Sequence, residues 1–403
     1  MKETSVSQLQ LLRSRRDFLR SAALGASALA LPLALDLPAS RLWAAGPATV
    51  RGYGVTTSQL KDWSVMAQSI GVQMEFTGTG NDVGVFLRDV VAAGLGDQTD
   101  IFVFEAGTQD ILGPRGTYLP IDTQHPALTL WERTPDEWKH SRVVQDAEGN
   151  QWGVPVIGNA DSFGYFPEKL GLDPDSEEEL SWSLVFDDPR TRGRVSFDRT
   201  WGYSLPMAAL YLQSKTGKPF SNCADLEPEE TRQVVDFLIE RKRAGQFRTL
   251  HSSFEEQIQL LSNREVDVIN CWEPAVREVN LKLGKDATRY AYTQEGYYKW
   301  GHGAYLPVQA GDRDNLDAIY KVLNYYLGGE YRALQARDRG YAGPNMDLAV
   351  AYARENDWSA EDIAALEETE RKIARKFSKP LVSTTTPSNA DSMEEQWQRF
   401  LNA

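Results

Sequence analysis

The chain has 403 residues and a mass of 45.2 kDa, which is enough for two or three domains or for two lobes. Hydrophobic residues make up 41% and tryptophan occurs 11 times, so a sizeable core is expected and a collagen-like, small disulfide-bonded or wholly disordered chain is excluded. The formal net charge of −14 would repel the phosphates of nucleic acids and anionic lipid headgroups. We therefore expect no nucleic-acid partner.

Cysteine and histidine are too few for the usual metal sites. The two cysteines, Cys223 and Cys271, cannot supply the four thiolates that iron–sulfur clusters and structural zinc usually need. They allow one disulfide at most, and the sequence leaves open whether they pair. No two of the four histidines have H-x-x-x-H spacing. We predict no cofactor and no metal, although a site with oxygen ligands stays open.

The N-terminal segment has the parts of a twin-arginine export signal. Residues 14–20 read S-R-R-D-F-L-R, an Ala- and Leu-rich stretch follows, and small residues stand at 44–46. A membrane anchor is the alternative, but the apolar run of about fifteen residues is shorter than the ~20 that span a bilayer. We expect the twin-arginine translocase to export the chain, cleavage near Ala45 to remove residues 1–45, and the remaining protein to be periplasmic.

Short apolar runs alternate with amphipathic stretches after residue 50, which is typical of α/β layering. Residues 72–76 predict a strand, 83–91 a helix capped by residues 79–81, and 100–104 a buried strand. A further strand predicted at 265–270 leads into a helix that begins near Pro274, because proline fits the first helical turn.

The C-terminal third is predicted to be mainly helical. Apolar stripes at helical spacing predict helices at 316–327 and from 331 to 339, each ended by a glycine. Residues 358–376 predict a charged helix, 383–388 a surface loop and 393–401 a last short helix.

Five short segments carry a resemblance to a known family by their order and spacing. They are W-G-V-P at 152–155, the S-W, F-D-D-P and R-G-R-V run at 181–195, V-I-N-C-W-E at 268–273, E-G-Y-Y-K-W-G-H-G-A-Y-L-P at 295–307 and G-Y-A-G-P-N at 340–345. Each alone is unspecific. Together they resemble the spermidine/putrescine-type branch of the periplasmic solute-binding proteins that serve ABC importers, within solute-binding protein family 1.

The resemblance implies an α/β type II periplasmic binding protein fold, with two lobes joined by crossing strands and a ligand cleft between them. Lobe 1 would comprise 47–155 and 296–350, lobe 2 would comprise 156–295, and 351–403 would be a helical segment packed on the lobes. It also implies a substrate-binding component that is not an enzyme. Such a protein, expected to be a monomer, delivers a small-molecule ligand to an inner-membrane ABC permease.

The resemblance also indicates which aromatic residues face the ligand. Trp272, Trp300 and Tyr341 fall on positions whose rings line the ligand in this family. Their faces would suit the methylenes or cationic groups of an amine, and each cation–π contact contributes ~0.5 to 2 kcal/mol. Packing in an ordinary core is the alternative for each ring.

Three acids that pair with ligand amines in polyamine binders are replaced in this chain. His302 stands for the aspartate of the W-x-D segment, and Thr200 and Tyr203 stand for two carboxylates. A buried ammonium without a partner costs several kcal/mol, so other acids must substitute if the ligand is an amine. Glu105, at the carboxyl end of a predicted strand, and Glu273 are the candidates, although Glu273 also suits the positive end of its own helix.

Other ligand chemistries stay open. The loops at Tyr53–Ser58 and Thr77–Asn81, with Arg199, could cradle an anion at helix starts, although such glycine-rich loops are more often simple turns. An exported enzyme on this fold would lack G-x-S-x-G and H-E-x-x-H motifs. An iron carrier could use Tyr297-Tyr298 or Tyr325-Tyr326, but the second pair lies on a helix, where consecutive side chains point apart. We favour an organic cation or amine.

Overall fold

A computed structural model describes residues 47–284 and 286–403, and the predicted export signal at 1–45 lies outside the described residues. The strands are β1 Ala48–Val55, β2 Val72–Thr79, β3 Ile101–Glu105, β4 Tyr118–Leu119, β5 Gly153–Tyr165, β6 Val195–Asp198, β7 Phe247–His251, β8 Val268–Cys271, β9 Arg289–Tyr290, β10 Tyr297–Pro307 and β11 Leu381–Ser383. No helix in this part of the chain is long and apolar enough to cross a membrane.

Helices cover both lobes and most of the C-terminal segment. The α-helices are α1 Ser64–Ile70, α2 Val83–Val91, α3 Thr108–Leu112, α4 Asp136–Lys139, α5 Pro167–Leu170, α6 Ser183–Phe186, α7 Trp201–Thr216, α8 Pro228–Arg243, α9 Phe254–Ser262, α10 Glu273–Leu283, α11 Leu316–Tyr326, α12 Gly329–Arg339, α13 Met346–Glu355, α14 Ala360–Phe377 and α15 Ala390–Asn402. Short 3-10 turns occupy Thr56–Ser58, Leu95–Asp97, Pro189–Thr191 and Val308–Asp312.

The strands form two sheet regions, one in each lobe of a mixed α/β fold. The first has the order β2-β1-β3-β10, with β1 parallel to β2 and β3 and with β10 antiparallel to β3. The second has the order β5-β8-β6-β7, with β6 parallel to β7 and β8. Parallel strands need helical crossovers, which places helices against both sheets and buries the apolar strands between them.

Strand β5 passes from one sheet to the other. Its residues from Gly153 to Asp161 pair with β10, and those from Ser162 to Tyr165 pair with β8. All 13 residues are buried, and the predicted crossing at W-G-V-P lies at the start of this strand. The lobe boundaries given above remain predictions.

The strand–helix–strand prediction at 72–104 is confirmed by β2, α2 and β3. The predicted cap of α2 is displaced by one residue, because the Asp82 carboxylate accepts the hydrogen bond from the Val85 amide (2.9 Å). Helix α10 begins at Glu273 with Pro274 in its first turn, as the sequence predicts. The strand before it is shorter than predicted and begins at Val268.

The predicted surface loop at 383–388 is wrong in part. Ser383 belongs to β11, which pairs in parallel with the start of β10, and most of the following residues are half-buried. The Thr384 hydroxyl donates to the Lys299 carbonyl (3.1 Å), and the Thr386 hydroxyl donates to a glycine carbonyl after β3 (2.9 Å). The serine, threonine and proline pattern indicates a loop, but an open strand edge far away in the sequence supplies partners for its backbone.

Two buried cysteines remain free thiols, so the structure answers the question that the sequence left open. Burial in apolar surroundings raises the pKa of Cys223 to about 12, and nearby Glu230 adds to the shift. Such a thiol is protonated at neutral pH.

Helix α15 completes the core of the second lobe. Trp397 is 1% exposed, and its ring lies 4.7 Å from the Phe400 ring and 6.3 Å from the Phe197 ring. Its indole N–H donates to the Arg199 carbonyl (2.8 Å). The second lobe therefore depends on a residue that lies far from it in sequence.

We expect Trp397→Ala to lower the free energy of unfolding by about 3 to 5 kcal/mol, because a large buried ring and a buried hydrogen bond are lost together. Chemical denaturation followed by far-UV circular dichroism measures this change. Leu281→Ala is the control, since Leu281 is 73% exposed and its removal should change stability by less than about 0.5 kcal/mol. Similar small effects of both substitutions would contradict a core role for α15.

Candidate functional site

Three of the residues singled out by sequence meet where the lobes join. Trp300 on β10 is half-buried and packs against the hydrophobic cores of both lobes. Its ring centroid lies 5.4 Å from that of Tyr341, edge to face, and 5.4 Å from that of His302. A ring that contacts both cores must change its surroundings when the lobes move, so Trp300 can couple occupancy of this site to lobe movement.

His302 links two candidate residues through a buried hydrogen-bond chain. Its Nδ1 lies 2.7 Å from the Ser58 hydroxyl, and its Nε2 lies 3.1 Å from a carboxylate oxygen of Glu105. The His302 side chain is 2% exposed and the Glu105 side chain is 18% exposed. The two residues face each other directly across β10 and β3, which explains why they meet. Glu105 therefore already has a partner in this structure.

Glu273 is paired with lysines of α14. Lys376 donates to Glu273 (2.8 Å) and to the Asn159 side-chain oxygen (3.2 Å), and its ammonium lies 4.8 Å from the Tyr290 ring centroid. Lys372 lies farther from Glu273, at 3.5 Å. Burial alone would raise the pKa of Glu273, but the two lysine charges outweigh it and lower this pKa to about 2.

The remaining candidates are not all brought to the junction. Trp272 is half-buried and stacks on Phe254 in its own lobe (ring centroids 6.0 Å apart), and Tyr53 stacks on Phe86 in the first lobe (6.3 Å). Thr200 is exposed and stands just before α7. Their contacts with a ligand stay predictions.

Tyr203 does reach the junction from α7. Its ring packs edge to face against Tyr298 of β10, with centroids 5.5 Å apart. Its hydroxyl is buried and makes no hydrogen bond within the described part of the chain. A buried hydroxyl without a partner is unusual, and it indicates unused hydrogen-bonding capacity at this point.

Asp161 is the functional candidate that sequence reasoning missed. It is 0% exposed, lies opposite Tyr298 in the β5–β10 pairing, and neither of its carboxylate oxygens has a hydrogen-bond partner among residues 47–284 and 286–403. Burial raises its pKa to about 7, although the nearby Trp300 indole, Lys376 and Tyr203 lower it. The one signal in the sequence is a carboxylate within an otherwise apolar and small-residue strand.

A groove of about 960 Å³ opens beside the junction between α10, α12 and α14. Glu273, Lys376, Asn159 and Tyr290 are among the residues that line it, whereas Trp300 and Asp161 are not. Since Lys376 and Glu273 both influence the Asp161 carboxylate, they connect this groove with the buried site. In the described residues, no group of three or more His, Cys, Asp or Glu is placed to hold a metal ion.

Comparison with known proteins identifies the fold. No protein-family model matches the chain, and no curated protein matches its sequence. Among solved structures, the spermidine/putrescine ABC transporter substrate-binding protein PotD of Streptococcus pneumoniae is similar, with a TM-score of 0.67 and 13% identity over 88% of this chain and 99% of that one.

Two further structures are similar at comparable identity. The Atu4243 GABA receptor has a TM-score of 0.58 and 16% identity, covering 88% of this chain and 97% or less of its own, namely 96%. AgtB from A. tumefaciens R10, in complex with agropinic acid, has a TM-score of 0.55 and 14% identity over 88% and 99% of the two chains. The chain shares the two-lobed periplasmic binding protein fold, which confirms the predicted fold class.

We expect Lys376→Ala to lower the free energy of unfolding by about 2 to 4 kcal/mol, because Glu273 would keep its charge in a largely buried position without its nearest partner. Lys372→Ala is the matched control: it removes a more exposed lysine of the same helix from the same acid, and a change below about 1 kcal/mol is expected. Urea unfolding at pH 7 compares them, and equal losses would contradict the special position of Lys376.

Proposed function

We propose that this chain is the extracytoplasmic solute-binding component of an ABC importer and that it binds a small organic solute between its lobes. The observation that carries the proposal is the position of Trp300, which contacts the cores of both lobes and also Tyr341 and His302. A solute held against this ring would touch both lobes at once. Binding would then favour one arrangement of the lobes, and a permease can recognise that arrangement.

The chemistry of the junction favours a solute with both apolar and polar parts. The rings of Trp300, Tyr341 and Tyr203 offer flat faces for methylene groups, while Asp161 and Glu105 offer carboxylates. Acidic groups beside aromatic faces suit an organic cation or amine better than an anion. The names of the similar proteins support this view in part, since they include a spermidine/putrescine-type protein and a GABA receptor.

Export and partners complete the proposal. The arginine pair and the apolar stretch within residues 1–45 support passage through the twin-arginine translocase and removal of this segment. The mature chain would then act as a periplasmic monomer beside an inner-membrane ABC permease. None of the similar proteins named above is described as an enzyme, and this supports a role without catalytic turnover.

A thermal-shift screen tests the proposal directly. The mature chain is heated with amines, betaines, amino acids, small carboxylates and sugars, and a solute that binds only the folded state should raise the melting temperature in a concentration-dependent way. Recovery of the solute unchanged after prolonged incubation would distinguish binding from turnover. If no solute of the panel shifts the melting temperature, or if the bound solute is converted, the transport role is contradicted.

We expect Trp300→Ala and Trp272→Ala each to weaken binding of the best solute by about 2 to 3 kcal/mol if both rings are ligand walls. Isothermal titration calorimetry measures this, with circular dichroism as a check on folding. Trp358→Ala is the control, because Trp358 is half-buried in the C-terminal segment against Arg337 (4.5 Å to the ring centroid). Unchanged affinity in a folded variant would assign that ring to the core.

A further inference from the structure

Asp161 lies at the one position where strand β5 changes partner. Asp161 pairs with Tyr298 of β10, and the next residue, Ser162, pairs with Cys271 of β8. The side chain is therefore fixed to the junction of the lobes by backbone hydrogen bonds on both sides. It is 0% exposed, and both of its carboxylate oxygens lack a hydrogen-bond partner within the described residues. Burying a carboxylate in this way is costly, so the fold keeps Asp161 at the expense of stability.

Two further unused polar groups lie beside Asp161. The Tyr203 hydroxyl and the Trp300 indole N–H are both close enough to lower the pKa of the Asp161 carboxyl, yet neither makes a hydrogen bond of good geometry in the described chain. These groups come from α7, β10 and β5, three elements that belong to different parts of the fold. Buried polar groups are nearly always satisfied, and three unsatisfied groups at one point indicate a partner that the chain itself does not supply.

The neighbouring acids already have partners. Glu105 lies 3.1 Å from His302, and Glu273 lies 2.8 Å from Lys376. The Lys376 ammonium acts on Asp161 at a distance, but its hydrogen bonds go to Glu273 and Asn159. Among these three acids, Asp161 is the one that the described residues leave without a partner.

We propose that Asp161 is the anionic anchor for a ligand with one protonated amine, whose ammonium lies between the Asp161 carboxylate and the Trp300 and Tyr341 rings. This inference deepens the proposed function and rests on it. An ammonium donates hydrogen bonds to a carboxylate and is attracted to aromatic faces, so both kinds of group at this point serve the same ligand atom. A single unpaired acid matches a single positive charge, which disfavours a diamine whose second charge would be buried unpaired.

The anchor makes binding depend on pH. The titratable and charged groups that interact with Asp161 are Tyr203 on α7, Cys271 on β8, Glu273 on α10, Tyr290 on β9, Tyr298 on β10, Tyr341 after α12 and Lys376 on α14. Burial raises the pKa of Asp161 to about 7 in the free protein, and an amine binds only the ionised form. Affinity should therefore be constant above about pH 8 and fall about tenfold for each pH unit below about 7.

Asp161→Asn tests the anchor with almost no change of shape. We would measure calorimetric binding of n-butylamine, choline, γ-aminobutyrate and putrescine, with n-butanol and butyrate as uncharged and anionic counterparts, at pH 5.5, 6.5 and 8. For the best monoamine we expect Asp161→Asn to weaken binding at least 30-fold at pH 8 and to remove the pH dependence. Asp175→Asn makes the same chemical change at a side chain that is 89% exposed and should leave affinity unchanged.

Stability without ligand gives a second measurement. Since the carboxylate is unpaired in the free protein, Asp161→Asn should melt at the same temperature as the unmodified chain or higher at pH 8, and the difference should shrink toward pH 5 as Asp161 becomes protonated. Asp161→Ser removes the charge in a smaller side chain and should behave alike. If both variants fail to fold, Asp161 has a structural role and the proposal is overturned.

The outcomes separate this inference from the proposed function. Binding of butyrate, n-butanol or another solute without an amine, with no binding of any amine, would overturn the anchor and leave the transport role standing. Equal affinity of Asp161→Asn and the unmodified chain for a monoamine would do the same. Tighter binding of putrescine than of every monoamine would overturn the single-charge assignment. If nothing in this panel or in the thermal-shift screen binds, both proposals fail.

Discussion

The backbone pairing of β5 is the constraint on which the rest of the structure depends. A buried strand must hydrogen-bond along its whole length, and β5 meets this demand by pairing first with β10 and then with β8. Both sheets are thereby built on one continuous segment. Any side chain at the change of partner is held between the lobes and cannot move to the surface of either. Asp161 occupies this position, and Trp300 faces the same junction from β10.

The charges at the junction follow from this constraint. Glu105 meets His302 because β3 and β10 are neighbours in one sheet, and Glu273 meets Lys376 because α14 packs beside α10. Each acid is neutralised by a group from a different part of the chain. The sequence suggests these two acids as substitutes for the missing amine partners, but the structure shows both engaged and leaves Asp161 unengaged. A ligand that seeks an anion in this protein would thus meet Asp161 first.

Local patterns in the sequence predicted the local structure well. The apolar run of β3, the stripe of α2 and the proline of α10 each act within a few residues, so β2, α2, β3 and the start of α10 could be placed in advance. The site could be predicted only in part. Trp300, Tyr341 and His302 come together as the family resemblance suggests, but the pairing of His302 with Glu105 joins residues 197 apart, and the Glu273–Lys376 pair joins residues 103 apart. Such contacts depend on strand register and helix packing, which periodicity does not reveal. The pairing of β11 escaped prediction for the same reason.

The contribution of α15 to the second lobe has a consequence for biosynthesis. The Trp397 indole binds the carbonyl of a residue 198 positions earlier, and Phe400 packs beside it in the same core. A ribosome makes the chain from its N-terminus, so this core stays open until Trp397 and Phe400 have been synthesised. During that interval the apolar surface around Phe197 is uncovered, and contacts of such long range form slowly. The nascent protein therefore needs protection from aggregation before any membrane translocase that accepts only folded cargo can take it.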